Sequence, residues 1–94
     1  MTTGGQARIR ILVNGRVQGV FFRRSAGEQA RALGVTGWAR NLRDGSVEIV
    51  GEGNRHNLEV LLVWAHHGPP YARVDMVQVK WEPLVGEFAQ FRVR

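Results

Sequence analysis

Ala7-Arg8-Ile9-Arg10-Ile11-Leu12-Val13-Asn14-Gly15-Arg16-Val17-Gln18-Gly19-Val20-Phe21-Phe22-Arg23 carries the chain from one periodicity into another. Ala7, Ile9, Ile11 and Val13 alternate with Arg8 and Arg10, the two-residue period of a half-buried strand. Leu12 interrupts the alternation, so the strand's end is expected to be covered on both faces, and Asn14-Gly15 is expected to close it. From Phe22 the apolar positions are Phe22, Ala26, Ala30 and Leu33, the spacing of one helix face, and Gly34 stops that helix. The loop between them is flanked by Gly15 and Gly19 and can turn its backbone N–H groups toward one point. The helix start adds the positive end of its dipole, and Arg23 adds a charge and a planar donor fork. That chemistry suits a small dianion, most simply a phosphoryl group.

Outward from this stretch, Val35 to Leu42 and Ser46 to Glu52 read as two strands joined by the tight turn Arg43-Asp44-Gly45. Asn54 caps a second helix with Leu58, Leu61, Leu62 and Ala65 on its apolar face, and Gly68-Pro69-Pro70 ends it. Val77, Val79 and Trp81 alternate with Gln78, Lys80 and Glu82 as a fourth strand. Val74 falls out of that register, which predicts a bulge near Asp75-Met76. Phe91 and Val93 form a short fifth strand. The order β-α-β-β-α-β plus a C-terminal strand predicts an α+β, ferredoxin-like split β-α-β sandwich, with an antiparallel sheet and both helices on one face. That fold hosts many functions, so function must be argued from the site.

Ninety-four residues make one domain. A chain of this size buries roughly 60–65% of its unfolded surface, enough for one core. There is no cysteine, hence no disulfide, thiolate nucleophile or Cys-ligated metal. No apolar run approaches the ~20 residues of a membrane span. Residues 1–6 lack the apolar core of a signal peptide and read as a flexible leader to a domain spanning 7–94. The formal net charge is +5, with Lys80 the single lysine. Such a balance favours anionic partners, but the arginines are spread along the chain, unlike a nucleic-acid-binding tail.

Gly15-Arg16-Val17-Gln18-Gly19-Val20-Phe21-Phe22-Arg23 resembles the signature of the acylphosphatases. Gly37-Trp38-Ala39-Arg40-Asn41 followed by Asp44-Gly45-Ser46-Val47-Glu48 resembles their second signature block. Gly68-Pro69-Pro70-Tyr71-Ala72-Arg73-Val74 and Phe91-Arg92-Val93 extend the resemblance from about Ala7 to Arg94. It implies a small cytoplasmic, monomeric hydrolase of acyl phosphates that needs no metal or organic cofactor. It implies Arg23 as the phosphate-binding arginine and Asn41 as the residue that orients the attacking water. Gly15, Arg16, Val17, Gln18, Gly19, Val20, Phe21 and Phe22 would then form the loop whose amides hold the phosphate. Inorganic phosphate or sulfate would compete there, with no nucleic acid or membrane as partner. The family fold also implies a central first strand beside the strand that carries Asn41.

The chemistry is consistent with so small a set of residues. The leaving group is a carboxylate, which departs without a general acid, so positioning and electrostatics carry the catalysis. An asparagine amide both donates and accepts, and so can hold a water in line. Neither Gly15–Arg23 nor Gly37–Asn41 contains a carboxylate or a histidine to act as a base, so the water's proton is expected to go to the phosphate itself. Other readings are weaker. His66 and His67 are adjacent and point apart on a helix, and His56 has no i, i+4 partner, which argues against a metal site. The loop lacks the Gly-Lys-Ser/Thr ending of a Walker site. Trp38, Trp64 and Trp81 lack the Gly-aromatic pattern of an RNA platform and read as packing residues. The alternative is a basic ferredoxin-like nucleic-acid-binding module. A third reading, an accessory domain handling carbamoyl phosphate, is opposed by a chain that ends at 94 residues without a partner domain.

Overall fold

The structure, a computed structural model, describes residues 5–94. The elements run β1 (Gln6–Arg16), α1 (Phe22–Ala32), β2 (Thr36–Asn41), β3 (Val47–Asn54), α2 (Arg55–Ala65), β4 (Arg73–Glu82) and β5 (Phe91–Val93). They build one five-stranded sheet in the order β4-β1-β3-β2-β5. Neighbouring strands among β1 to β4 pair antiparallel, as expected, but β5 lies parallel to β2. The sheet is therefore mixed. β4 and β5 occupy opposite edges, and the connecting residues 83–90 cross between them, which sets β5's direction. Residues 1–4 of the expected leader lie outside the described residues. Gln6 already pairs with Asn54, and the Gly5 carbonyl accepts from the Arg55 N–H.

Alternation along the strands separates two faces. Ile9, Ile11, Val13, Ala39, Val47 and Ile49 form one face and are fully buried against Phe22, Ala26 and Ala30 of α1 and Leu58, Leu61 and Ala65 of α2. Both helices thus cover the same face. Each large apolar side chain removed from water here stabilises the fold by roughly 1.5–3 kcal/mol. α1 sits close on β5 because position 27 is glycine: a Cβ there would lie 2.8 Å from Val93 Cγ2. The Asn54 side chain caps α2 by accepting from the His56 N–H at 2.9 Å.

The other face carries a charge lattice. Arg8 bonds Glu52, Glu82 and Glu87 at 3.2, 3.1 and 2.8 Å. Arg10 bonds Glu48 and Glu82 at 2.6 and 2.9 Å, and Arg40 bonds Glu48 at 2.8 Å. Glu52 also accepts from the backbone N–H groups of Val85 and Gly86, which holds the crossing segment against the sheet. Burial alone would raise the Glu52 pKa. The two backbone donors and Arg8 outweigh it and hold the carboxyl below its ordinary range.

β1 does not end at Asn14-Gly15. It continues to Arg16 through a bulge, because Asn14 pairs with Met76 and Gly15 with Val74, leaving Asp75 as the extra residue. This is the bulge that Val74's register predicts. Only glycine fits at position 15: φ is 134°, and a Cβ would stand 2.1 Å from the Arg73 carbonyl oxygen. β1 also does not neighbour the Asn41 strand, since β3 lies between them.

Candidate active site

Five residues, 17–21, connect β1 to α1. Val17, Val20 and Phe22 are buried anchors, while Gly19 and Phe21 face outward. Phe22 is wedged between the helices, its ring centroid 5.2 Å from that of Trp64. Gly19 (φ 76°) has no atom within 4 Å of a built Cβ, so its requirement is the left-handed backbone and not space. Phe21, the residue before α1, is also left-handed, at φ 65° and ψ 23°. For a bulky side chain that conformation costs about 1–2 kcal/mol.

This path leaves a row of backbone donors uncommitted. Residues 18–21 form a loose turn, but among the described residues no N–H from Gln18 to Arg24 makes a backbone hydrogen bond of standard geometry, and the first that does is Ser25, bonded to the Phe21 carbonyl at 3.0 Å. Those of Phe22, Arg23 and Arg24 are the orphan donors that any helix start presents. Arg23, half-buried in the first turn, donates through Nη1 to the backbone carbonyl of Arg94. One of its five donors is committed there, which leaves the others for a further acceptor. Asn41 is the exposed last residue of β2. Strand alternation puts it on the face of Ala39, the helix side, because it pairs with the buried Val47.

A cleft of about 260 Å³ lies where these parts meet, lined by Val17, Gly19, Phe21, Phe22, Arg23, Arg24, Asn41 and Val93. Its size is below the ~300 Å³ at which drug-sized ligand sites begin, so it suits a small ligand. The structure brings Val17, Gly19, Phe21, Phe22, Arg23 and Asn41 together here. Gly15 and Arg16 lie within β1, paired to β4, and do not line the cleft. Val20 is buried as an anchor.

The Gln18 side chain has a part that its sequence position does not reveal. Its Nε2 donates to the carbonyls of Leu42 at 2.7 Å and Ser46 at 2.9 Å. Leu42 follows Asn41, and its own N–H also bonds the Ser46 carbonyl, at 2.8 Å. One amide therefore staples the loop to the β2–β3 turn that presents Asn41. Asp44 sets that turn by accepting from the Ser46 hydroxyl and backbone N–H, which depresses its pKa. Val93 and Arg94 were also not legible as site residues. Val93 reaches the cleft wall, and the Arg94 carbonyl reaches Arg23, through the parallel β5 pairing, for which local sequence carries no signal.

A larger groove of about 900 Å³ runs along β2 and β5, lined by Arg31, Trp38, Phe88, Arg92 and neighbouring residues. It touches the smaller cleft at Val93 but contains neither Arg23, Asn41 nor the loop. Among the described residues no three His, Asp or Glu side chains are grouped so that they could hold a metal ion. No helix of the described residues is long and apolar enough to cross a membrane.

The fold and cleft define a small ferredoxin-like α+β domain with a glycine-bent loop, an arginine and an asparagine gathered at one end. The acylphosphatase family model matches residues 9–93. An acylphosphatase of Pelotomaculum thermopropionicum is 51% identical over 88 residues, 94% of this chain and 96% of that protein. The solved structure of an acylphosphatase from Coxiella burnetii superposes with a TM-score of 0.90 at 41% identity, covering 100% of both chains. The chain belongs to the acylphosphatase family and is an enzyme of that type. The same unit also occurs inside a longer protein: HypF of T. kodakarensis matches at TM-score 0.81 and 31% identity, over 94% of this chain but 12% of that one. These matches do not favour the nucleic-acid-binding alternative.

Proposed function

We propose that the cleft hydrolyses acyl phosphates to a carboxylate and inorganic phosphate. In this reading the backbone N–H groups of Gln18 to Arg24 and the Arg23 guanidinium hold the phosphoryl oxygens. Asn41 holds the attacking water in line. The observation that carries the reading is the meeting on one cleft of a glycine-bent loop whose amides make no standard backbone bond among the described residues, the Arg23 guanidinium and the Asn41 side-chain amide.

Phosphoryl transfer passes through a loose transition state with charge on the equatorial oxygens. Donors already aimed at those oxygens stabilise it without reorganising, and losing one typically costs about 10²–10³ in rate. The Asn41 amide accepts a hydrogen bond from the water and donates one to it or to the phosphate. Holding the water in line is worth effective molarities of roughly 10⁵ M or more. An asparagine is no base at neutral pH, so the water's proton passes to a phosphoryl oxygen. The carboxylate leaves unprotonated. Phosphate and sulfate compete, because each presents the same tetrahedral oxyanion to the loop. The proposed setting is the cytoplasm, with which a chain lacking cysteine is compatible. The reading calls on no residue of a second copy, so the proposed working unit is a monomer.

The test is benzoyl phosphate with a chelator present and no added metal. Hydrolysis well above the spontaneous rate, inhibited by inorganic phosphate, is expected. A purified, folded protein that leaves the substrate at its spontaneous rate refutes the reading.

A further inference from the structure

Among the described residues Phe21 is the only non-glycine with positive φ. It combines this with two further properties. Its side chain is 67% exposed, between neighbours that are 6% and 1% exposed. It also lines the cleft, beside Arg23, Arg24 and Asn41. Other large apolar residues are exposed, including Tyr71 and Val63, but they lie on ordinary backbone away from the cleft. A left-handed residue is supplied most cheaply by glycine or asparagine. The chain instead places an aromatic ring there, and the ring adds almost nothing to the core. The fold pays for Phe21 twice, in backbone strain and in apolar surface left in water.

We propose that Phe21 is the acyl-recognition residue of this cleft, selecting acyl phosphates whose acyl group is apolar and preferably aromatic. The inference rests on the hydrolase reading above. Phosphate held by the loop amides and Arg23 leaves the acyl group pointing outward across the rim, and the rim at the helix start is Phe21 and Arg24. Arg24 is 75% exposed and is tied only to Glu28, at 3.9 Å. The aromatic ring is thus the firm apolar surface that a departing acyl group meets. A flat apolar acyl group covers the ring and removes both surfaces from water. An acetyl group is too small to do so.

The experiment compares benzoyl phosphate with acetyl phosphate in the wild type, Phe21→Gly and Phe21→Tyr. The readout is the ratio of their kcat/KM values, in which any general damage to the loop cancels. Phe21→Gly suits the left-handed backbone, so folding is retained and thermal unfolding verifies it. The expected result is a three- to tenfold fall in the benzoyl-to-acetyl ratio for Phe21→Gly, the range set by one aromatic contact, with Phe21→Tyr near the wild-type ratio. An unchanged ratio in a folded Phe21→Gly protein that still hydrolyses either substrate overturns the proposal. A wild type inactive on both substrates overturns the hydrolase reading instead.

Discussion

Gln18→Leu removes the side chain that, among the described residues, ties the candidate anion-binding loop to the turn presenting Asn41. Two hydrogen bonds disappear, at 2.7 and 2.9 Å. Each contributes about 1 kcal/mol net. Both carbonyls keep a backbone donor, Ser46 from the Leu42 N–H and Leu42 from the Gly45 N–H, so what is lost is the two Gln18 bonds themselves. The site is only partly buried, so water recovers some of that loss. The expected destabilisation is roughly 1–2 kcal/mol in urea titration. The kinetic effect exceeds what stability implies, because a loop free to drift from Asn41 loses alignment, and small misplacements cost about 10²-fold. Turnover of benzoyl phosphate by folded Gln18→Leu is therefore expected to fall at least tenfold, while inhibition by phosphate, which needs only the loop and Arg23, changes less. Gln18→Glu sharpens the test. It keeps the shape but turns an acceptor toward two carbonyls, so it should be worse than leucine at pH 7 and recover in part in acid, where the carboxyl can donate once. A Gln18→Leu protein with wild-type stability and wild-type turnover refutes the staple argument.

Four further outcomes follow from the same geometry. Arg23→Lys should lose about 10²-fold or more in kcat/KM and bind inorganic phosphate more weakly, because a point charge does not replace a planar fork; retained phosphate inhibition would remove Arg23 from the binding site. Asn41→Ala should keep phosphate inhibition and lose turnover, read from steady-state kinetics beside the inhibition constant, the pattern of an interaction made only in the transition state. Gly15→Ala should destabilise by several kcal/mol in thermal or urea unfolding, since its Cβ would stand 2.1 Å from a backbone oxygen at a left-handed φ. Acid should loosen the segment spanning 83–90. Glu52's folded pKa lies below its unfolded value of 4.5, so its contribution is complete above about pH 4.5 and is lost as pH falls through the folded value. Glu82, held down chiefly by its Arg10 bond, adds a loss of the same sign. Urea stability should therefore drop as the pH falls below about 4.5, and Glu52→Gln should lower it at pH 7 while flattening that slope.

Local chemistry made most of the elements legible. The two-residue period of Ile9, Ile11 and Val13, the helical spacing of Phe22, Ala26 and Ala30, and the stops at Gly34 and Gly68 each depend on neighbours a few residues away. Even the β4 bulge showed itself, because Val74 breaks an alternation that Val77, Val79 and Trp81 keep. The glycine-flanked loop and Arg23 were legible as an anion motif for the same reason: loop, helix start and arginine are contiguous in the chain.

The sequence by itself determined the order of elements, the two faces of each strand and the motif residues of the candidate site. Only the tertiary structure decided how the site closes. Strand order put β3 between β1 and β2, so Asn41 reaches the loop from two strands away. The parallel pairing of β5 with β2 brought Val93 to the cleft wall and the Arg94 carbonyl to Arg23. The Gln18 staple joins residues 24 and 28 positions apart. Such contacts arise from the shared burial of distant segments and from the route of the crossing chain. No short window of sequence holds that information, because the free energy that selects them comes into being only when the sheet is assembled.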